Sequence, residues 1–288
     1  MNKTKVSSYL FILPAFIIYV SVIVLPTLDS FRISLHRWSG MDDMVFVGLS
    51  NYTQLIFYDP VFQVALRNNL AWIAMTLGIT VPVALMLALL LNAPIKGRTF
   101  FRAVYYFPAV LSGIMVAIIW RWIYNPTFGI VNELLSLVGL DAFRQTFLGD
   151  PNRALVFVFI ASLWAGAGHV MILFLAGLQT IPSDVIESAQ IDGAGSIRQF
   201  FSIKLPLLKE TFIIVFATLI IASMQVFAII MGTTAGGPAN STQVLATYMV
   251  QQTFTFSNMG MGAAISTLML IMMMVIVIPY VLYATKER

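Results

Sequence analysis

Charged residues and cysteines are what this sequence lacks most. Charged residues make up 10% of its 288 positions, whereas a soluble globular domain carries about 25%. The shortage predicts that most of the surface faces an apolar medium. No cysteine is present, which excludes disulfides and metal sites built from thiolates. Basic clusters with interleaved aromatic residues are also missing, so nucleic acid is not an expected partner.

Motifs of catalysis and of nucleotide binding are missing as well. The two histidines are His36 and His169, and no His-Glu-x-x-His pattern of a metalloprotease occurs. Neither the Gly-x-Ser-x-Gly turn of hydrolases nor the Gly-x-x-x-x-Gly-Lys-Ser/Thr loop of ATPases is found. We therefore expect no catalytic residue, no metal site and no cofactor in this chain, and no ATP bound through such a loop.

Long hydrophobic runs dominate what is present. Hydrophobic residues make up 59% of the chain, and the mean hydropathy is +0.90. A membrane-spanning helix needs about 20 apolar residues. Six runs of that length occur, at 9–28, 70–91, 103–124, 154–178, 210–231 and 261–284. Because the runs are continuous rather than alternating, they predict an all-α polytopic membrane protein with six transmembrane helices. No linker divides the chain, so 1–288 is expected to form a single transmembrane domain.

The distribution of Lys and Arg predicts the orientation of these helices. With the N-terminus inside, the segments 1–8, 92–102, 179–209 and 285–288 are cytoplasmic, and they hold 10 of the 16 basic residues in 54 positions. Both termini are therefore expected in the cytoplasm. The first run is longer than the apolar part of a signal peptide and no Ala-x-Ala-like site follows it, so we interpret it as an uncleaved helix.

A polar segment, 179–209, separates the fourth and fifth runs and has the pattern of a helix-turn-helix. Ser183 can cap a short helix that runs to about Asp192. Gly193 suits the position after a helix that requires a positive φ. A second short helix follows, and Pro206 ends it or begins the next span. Amphipathic helices resting on lipid headgroups would fit this pattern too, although small residues on the first helix favour insertion into a cleft of another protein.

The same segment closely resembles the EAA loop of the permease subunits of bacterial ABC importers. The family pattern is Glu-Ala-Ala, then Asp-Gly-Ala, an aromatic-rich piece and Ile-x-Leu-Pro, and this chain reads IPSDVIESAQIDGAGSIRQFFSIKLPLL. Ser188 stands where the family has its first Ala, which is an exchange of one small residue for another. The matching positions are Glu187, Ala189, Asp192, Gly193, Ala194, Leu205 and Pro206.

The resemblance extends over nearly the whole chain. The segments LFILPAFIIYV, FVGLSNY, RAVYYFPAVLSGIMVAIIWRWIYNPTFGIVN and GGPANSTQVLATYMVQQTFTFSNMGMGAAIST are similar to the carbohydrate branch of these permeases, of the maltose and glycerol-phosphate type. The resemblance implies a transporter subunit, not an enzyme, in the cytoplasmic membrane of a bacterium. It would form half of a sugar pathway that works by alternating access.

The partners implied by the resemblance are a second, homologous permease in a heterodimer, two cytoplasmic ABC ATPase subunits and an extracytoplasmic solute-binding protein. Sugar and membrane lipid complete the expected surroundings of the chain. ATP would be hydrolysed by the ATPase partner. The resemblance further implies that the first helix of 179–209 sits in a cleft of that ATPase. The coupling residues would be Glu187, Ser188, Ala189, Asp192, Gly193, Ala194 and Pro206.

Polar residues within the predicted fourth span are candidates for sugar contact. Ser162, Gly166 and His169 lie at i, i+4 and i+7 and share one helix face. The resemblance implies that these positions line the pathway. A close contact between two helices would also explain a Ser and a Gly at this spacing.

The predicted fifth span offers Ser223, Gln225 and Phe227 as further candidates. Ser223 and Gln225 lie about 200° apart around an α-helix. Both side chains therefore cannot face one pore from a regular helix, and the sequence does not choose between them.

Two alternatives remain open at this point. The chain could be an importer permease for a polyol or for glycerol phosphate. However, the interiors of the predicted spans hold no basic residue of the kind that an anionic substrate requires. It could also be a stand-alone secondary carrier. Such carriers usually depend on buried acids, and the interiors of the spans hold almost no ionisable residue other than His169.

Overall fold

Apolar helices make up most of the computed structural model, which describes residues 3–286. The first eight α-helices are α1 (Lys3–Tyr19), α2 (Leu25–Ser34), α3 (Ser50–Thr53), α4 (Pro60–Met75), α5 (Val81–Asn92), α6 (Arg98–Tyr106), α7 (Gly113–Ile123) and α8 (Ile130–Leu137). The next eight are α9 (Ala154–Gln179), α10 (Ser183–Ile191), α11 (Ser196–Gln199), α12 (Leu205–Leu207), α13 (Lys209–Met224), α14 (Ala228–Thr233), α15 (Leu245–Val250) and α16 (Met259–Lys286).

Shorter elements connect several of these helices. The π-helical segments are Val20–Val24, Gln54–Tyr58, Thr76–Thr80, Phe200–Lys204 and Gln251–Thr255, and the 3₁₀ turns are Phe107–Val110 and Asp141–Phe143. The strands β1 (His36–Arg37) and β2 (Val45–Phe46) pair antiparallel, with His36 opposite Phe46. The predicted helical class therefore holds for the described residues, with one small two-stranded ribbon added.

Four helical stretches are long and apolar enough to cross a bilayer by themselves: Phe11–Ser34, Pro60–Asn92, Ala154–Gln179 and Met259–Ala284. Two bent pairs of helices meet the same criterion only when taken together: Arg98–Val110 with Gly113–Ile123, and Ser196–Leu207 with Lys209–Met224. Residues 3–286 thus contain four to six candidate spans, and the chain is a multi-pass membrane protein.

Three of the predicted spans differ in shape from the continuous helices expected. The second begins at Pro60 rather than 70, because the Asp59 carboxylate caps α4 by accepting from the backbone N–H groups of Val61 and Phe62, both at 2.9 Å. The third is bent by 100° between its two halves. Ser112 starts the second half, where its hydroxyl accepts from the Met115 N–H at 3.3 Å.

The predicted fifth span, 210–231, is not one helix. It consists of α13 and α14, and Gln225–Phe227 separate the two. Phe227 has φ −140° and ψ −63°, outside the helical region. The helix upstream, Ser196–Leu207, is bent by 67° against α13. Non-helical backbone at membrane depth is tolerated where protein buries it or where it lines a cavity. The three residues of this break line a cavity.

One compact unit contains, of the described residues, 3–63 together with Tyr248–Met272. Asn51 is buried here and holds the ribbon to α2. Its amide nitrogen donates to the carbonyl oxygens of Ser34 and His36, at 2.8 and 2.9 Å. Gly260 permits close approach in the same unit, because a side chain at that position would collide with the His36 carbonyl oxygen.

The other compact unit contains Val64–Thr247 and, of the described residues, 273–286. Helix α9 lies at the centre of its core, where it packs against α5 and α13 through buried side chains. Examples are Ala88 on α5, Phe174 on α9 and Val215 on α13, each fully buried. Gly168 lets α9 approach α6, since a Cβ there would collide with the Tyr105 carbonyl oxygen.

Candidate functional site

The break between α13 and α14 directs two side chains into a cavity. Gln225 is the first residue after α13 and is exposed, and Phe227, two residues later, is partly exposed. Both residues line a cavity of about 400 Å³ together with Val226 and the first residues of α14. This volume lies within the range of small-molecule sites in proteins, about 300–1,000 Å³.

The second wall of the cavity is a face of α9. Ser162, Gly166 and His169, which the sequence places on one helix face, all line it. His169 is exposed to the cavity, and Ser162 and Gly166 are half-buried. No side chain fills the space beside Gly166, because a Cβ placed there would meet nothing within 4 Å. In this structure Gly166 therefore leaves room in the cavity rather than forming a close helix contact.

The third wall comes from the bend between α6 and α7. Pro108, Ala109, Leu111 and Gly113 contribute to the lining. Sequence reasoning did not select these residues, since none of them carries a polar side chain. The available signal was the combination of Pro108 with Ser112-Gly113 inside an apolar run, which marks a break in a helix.

Three polar side chains stand in the otherwise apolar lining of the cavity. The hydroxyl of Ser162, the imidazole of His169 and the amide of Gln225 can donate and accept hydrogen bonds, and Phe227 supplies an aromatic ring. None of the residues that line the cavity is Asp, Glu, Lys or Arg. Such a lining suits an uncharged ligand that has hydroxyl groups and an apolar ring face.

Ser223 does not reach this cavity. It is 2% exposed, and its hydroxyl donates to the Thr76 hydroxyl at 3.3 Å. Its carbonyl oxygen accepts from the side-chain amide of Asn69 at 2.9 Å. The structure therefore brings together five of the six residues selected from the fourth and fifth runs, and Ser223 is the exception. Of Ser223 and Gln225, it is Gln225 whose side chain lines the cavity.

The second candidate site is the polar segment between α9 and α13. Helix α10 carries Glu187 and Ser188 on exposed positions, whereas Ala189 is buried. The helix ends in a Schellman motif: the N–H of Gly193 donates to the Gln190 carbonyl and the N–H of Ala194 to the Ala189 carbonyl, at 3.0 and 2.9 Å.

Gly193 has φ +76°, as predicted for the residue after this helix. This left-handed conformation is accessible to glycine at little cost. The expectation for Ser183 was wrong by one residue. Pro182 occupies the cap position and Ser183 is the first helical residue, with no side-chain cap. Asp192, at the other end of α10, is exposed.

The second half of the segment is tied to the turn by Gln199, a residue that sequence reasoning missed. Gln199 is buried, and its amide nitrogen donates to the Ala194 carbonyl at 2.6 Å. The chain then runs through α11 and a π-helical segment into α12, where Pro206 is exposed in the first turn.

Apolar side chains project from this otherwise polar segment. Ile191, Ile197 and Phe201 are 86%, 78% and 61% exposed. They lie near the exposed carboxylates of Glu187 and Asp192 in sequence. Exposed large apolar residues grouped with charges are typical of a surface that another protein covers.

The part of the chain that the structure describes contains no cluster of side chains suited to bind a metal ion. Within residues 3–286, no three His, Asp or Glu side chains come together in a way that could hold a metal ion.

Comparison with known proteins gives similarity over nearly the full length. The model of the family described as "Binding-protein-dependent transport system inner membrane component" matches residues 80–286. The multiple sugar-binding transport system permease protein MsmF of Streptococcus mutans is 33% identical, over 94% of this chain and 93% of its own length. The trehalose/maltose transport system permease protein MalF of Thermococcus litoralis is 34% identical, over 90% of this chain and 87% of its own.

A solved structure has the same fold. The crystal structure of a bacterial ABC transporter involved in the import of the acidic polysaccharide alginate aligns with a TM-score of 0.87. The alignment covers 99% of this chain and 96% of that chain, at 24% sequence identity. At this identity the likeness speaks for the fold alone.

Proposed function

We propose that this chain, which belongs to the family of binding-protein-dependent transport system inner membrane components, is a permease subunit of an ATP-driven sugar importer. It would form half of the translocation pathway. The observation that carries the proposal is the convergence of His169, Gln225 and Phe227 on one cavity that no Asp, Glu, Lys or Arg lines. The relatives from Streptococcus mutans and Thermococcus litoralis, both named as sugar permeases, support the same substrate class.

The proposed arrangement has six spans, with each bent pair of helices counted as one span. Both termini and the segment 179–209 lie in the cytoplasm. The concentration of Lys and Arg in the inner segments supports this orientation. The chain would act in the cytoplasmic membrane of its host, as the family's description of an inner membrane component suggests.

The substrate proposed for the cavity is a neutral sugar. Hydroxyl groups of a sugar can pair with Ser162, His169 and Gln225, and its apolar ring face can pack on Phe227. A permease for glycerol phosphate is the second candidate within the family. It is less well supported, because the lining of the cavity contains no Lys or Arg to pair with a phosphate.

The energy for transport would come from partner subunits. The sequence contains no phosphate-binding loop of the ATPase type, so ATP would be hydrolysed by two cytoplasmic ATPase subunits. Helix α10 would dock into them through Glu187 and the exposed Ile191. A second, homologous permease would complete the pathway, and an extracytoplasmic solute-binding protein would deliver the sugar, in keeping with the family's binding-protein dependence.

Alternating access is the mechanism that this assembly would use. ATP binding would favour one arrangement of the two permeases over the other, since a ligand shifts an equilibrium by its differential affinity for the two states. Residues 179–209 would transmit the movement of the ATPase to α9 and α13, the helices on either side of the segment. The cavity at Gln225 would then open to opposite sides of the membrane in turn.

Reconstitution separates this proposal from a stand-alone carrier. Proteoliposomes that contain this chain alone are expected to take up no labelled sugar. Uptake should appear only when the second permease, the ATPase, ATP and the loaded binding protein are added. Uptake by the single chain, driven by an ion gradient, would contradict the proposal.

A further inference from the structure

A network of buried neutral side chains lies beside the break in the fifth predicted span. These residues are buried although none is apolar: Asn68, Asn69, Thr76, Ser223, Thr242, Gln243 and Thr247. They connect α4 to the end of α13 and to the segment before α15. Buried polar groups of this kind fix one arrangement when every partner is present. The network therefore bears on the shape of the break itself.

Asn69 uses both halves of its side-chain amide in this network. Its nitrogen donates to the Ser223 carbonyl oxygen at 2.9 Å, and its oxygen accepts from the Leu245 N–H at 2.8 Å. Asn69 is 0% exposed. Its neighbour Asn68 is also buried, but its nitrogen donates to the carbonyls of Ser241 and Gln243, each at 2.8 Å. Of these two adjacent amides, Asn69 alone holds the end of α13.

The Ser223 carbonyl needs an external donor because of the break. In a continuous α-helix it would accept from the N–H four residues later, that of Phe227. Helix α13 ends at Met224, and the backbone substitutes are the N–H of Gln225, which is shared with the Ile221 carbonyl, and the N–H of Val226, at a long 3.4 Å. The Asn69 amide provides the short hydrogen bond that the continuous helix would have made. Without the Asn69 hydrogen bond, the buried Ser223 carbonyl would lack a well-placed donor. The free energy of the broken form would then rise relative to that of a regular helix.

The break decides which side chains face the cavity. In a regular helix, residues 225 and 227 lie about 200° apart and cannot share one wall. In this structure both Gln225 and Phe227 line the same cavity. We propose that Asn69 is a positioning residue for this site: by binding the Ser223 carbonyl it maintains the break and keeps Gln225 and Phe227 on one wall. The role rests on the proposed function in treating the cavity as the sugar pathway, but its test does not require transport.

The absence of cysteine makes a direct test possible, because one introduced cysteine is the sole thiol of this chain. Gln225→Cys and Phe227→Cys are made separately and assembled into the complete complex in membrane vesicles. The probe is a small water-soluble methanethiosulfonate that carries a trimethylammonium group. Its rate of reaction with this subunit is measured in three backgrounds: native, Asn69→Leu and Asn68→Leu. The leucine side chain has nearly the shape of asparagine and cannot form hydrogen bonds.

Both cysteines should react in the native and Asn68→Leu backgrounds. In Asn69→Leu, at least one of the two rates should fall by about tenfold or more, as expected when loss of a hydrogen bond to a buried carbonyl shifts the equilibrium between broken and regular helix. Unchanged rates for both cysteines, or an equal loss in Asn68→Leu, would overturn the proposal.

Assembly is checked in the same samples. If Asn69→Leu does not assemble, Asn69→Ala, which adds no bulk, replaces it in the same comparison. Failure of both Asn69 variants to assemble, while Asn68→Leu assembles, would assign Asn69 a structural role and overturn the positioning role. If the native complex takes up no sugar although both cysteines react as expected in all backgrounds, the proposed function fails and the role of Asn69 stands.

Discussion

The Tyr248 hydroxyl donates a hydrogen bond to the carboxylate of Asp59 at 2.5 Å, across 189 residues of sequence. The other carboxylate oxygen of Asp59 caps α4, and the Gln252 amide donates to the Tyr248 oxygen at 2.7 Å. Asp59 therefore joins the start of α4 to α15 within one compact unit. Burial and, secondarily, the hydrogen bond to Asp59 raise the pKa of Tyr248 above its ordinary 10.0.

Tyr248→Phe should destabilise the chain at neutral pH by about 1–2 kcal/mol, because the Asp59 carboxylate loses a donor. The pH dependence has a defined sign. Below pH 10 the folded and unfolded states both keep the phenol proton, so the contribution is fully present. Above pH 10 the unfolded chain releases the proton first, and stability falls as the pH rises.

The measurement for Tyr248 is thermal unfolding in detergent from about pH 8 to pH 11, a range around the ordinary tyrosine pKa. The decline at high pH should be shallower in Tyr248→Phe than in the native chain. Tyr58→Phe is the control, since Tyr58 is 80% exposed. Equal curves for the native chain and Tyr248→Phe would show that this hydrogen bond contributes nothing measurable.

Gly193→Ala should weaken the turn after α10 by about 1 kcal/mol, because a left-handed backbone is unfavourable for a residue with a Cβ. Gly195→Ala is a matched control two residues away. A Cβ at either position meets nothing within 4 Å, but Gly195 has an ordinary φ of −65°. ATPase stimulation by loaded binding protein should fall in the first variant and persist in the second. A similar loss in both would mean that φ is not the cause.

Glu187→Lys should uncouple ATP hydrolysis from transport while the complex still assembles. Glu187 is exposed beside Ile191 on α10, on the face that we propose docks with the ATPase. Reversal of the charge should place like charges together at that contact. Glu187→Gln keeps the shape and separates the effect of charge from that of size. Normal ATPase stimulation in the Glu187→Lys complex would remove α10 from the coupling route.

His169→Ala should lower sugar uptake by about fivefold to tenfold without loss of assembly, as expected when one hydrogen bond to the ligand is removed. Ile160→Ala provides a control on the same helix, because Ile160 is partly exposed and does not line the cavity. The quantity measured is the initial rate of uptake against sugar concentration. Kinetics identical to the native complex would exclude His169 from the binding site.

The sequence predicted the helices that are continuous and apolar. The fourth run was placed at 154–178, and α9 spans Ala154–Gln179. Hydropathy is enough to predict the bounds of this helix, since contact with lipid and burial in protein both favour apolar residues. The earlier start of the second span was not predicted, because Asp59 and the polar first turns of α4 fall below a hydropathy criterion although they begin the helix well. The Asp-Pro pair was the local signal.

The break in the fifth span escaped prediction for a different reason. Helical periodicity assumes a regular helix, whereas the conformation of Gln225–Phe227 depends on Asn69, which is 154 residues from Ser223 in sequence. No local pattern contains that contact. The candidate residues of α9 were predicted correctly as one face because the helix there is regular. The residues of the fifth run could not be oriented until the break was known.

The Schellman turn after α10 and the Gln199 hydrogen bond have a mechanical consequence. The bond from the Ala194 N–H to the Ala189 carbonyl crosses Gly193, and the Gln199 side-chain amide then ties the second arm to the Ala194 carbonyl. Together the two bonds link both arms of the segment through the turn and oppose changes in the angle between them. A segment held in this way transmits a pull as well as a push to the helices on either side of it. We therefore expect ATPase subunits bound to this segment to drive both the forward and the return movement of the transport cycle. The return movement then need not depend on elastic relaxation of the membrane helices.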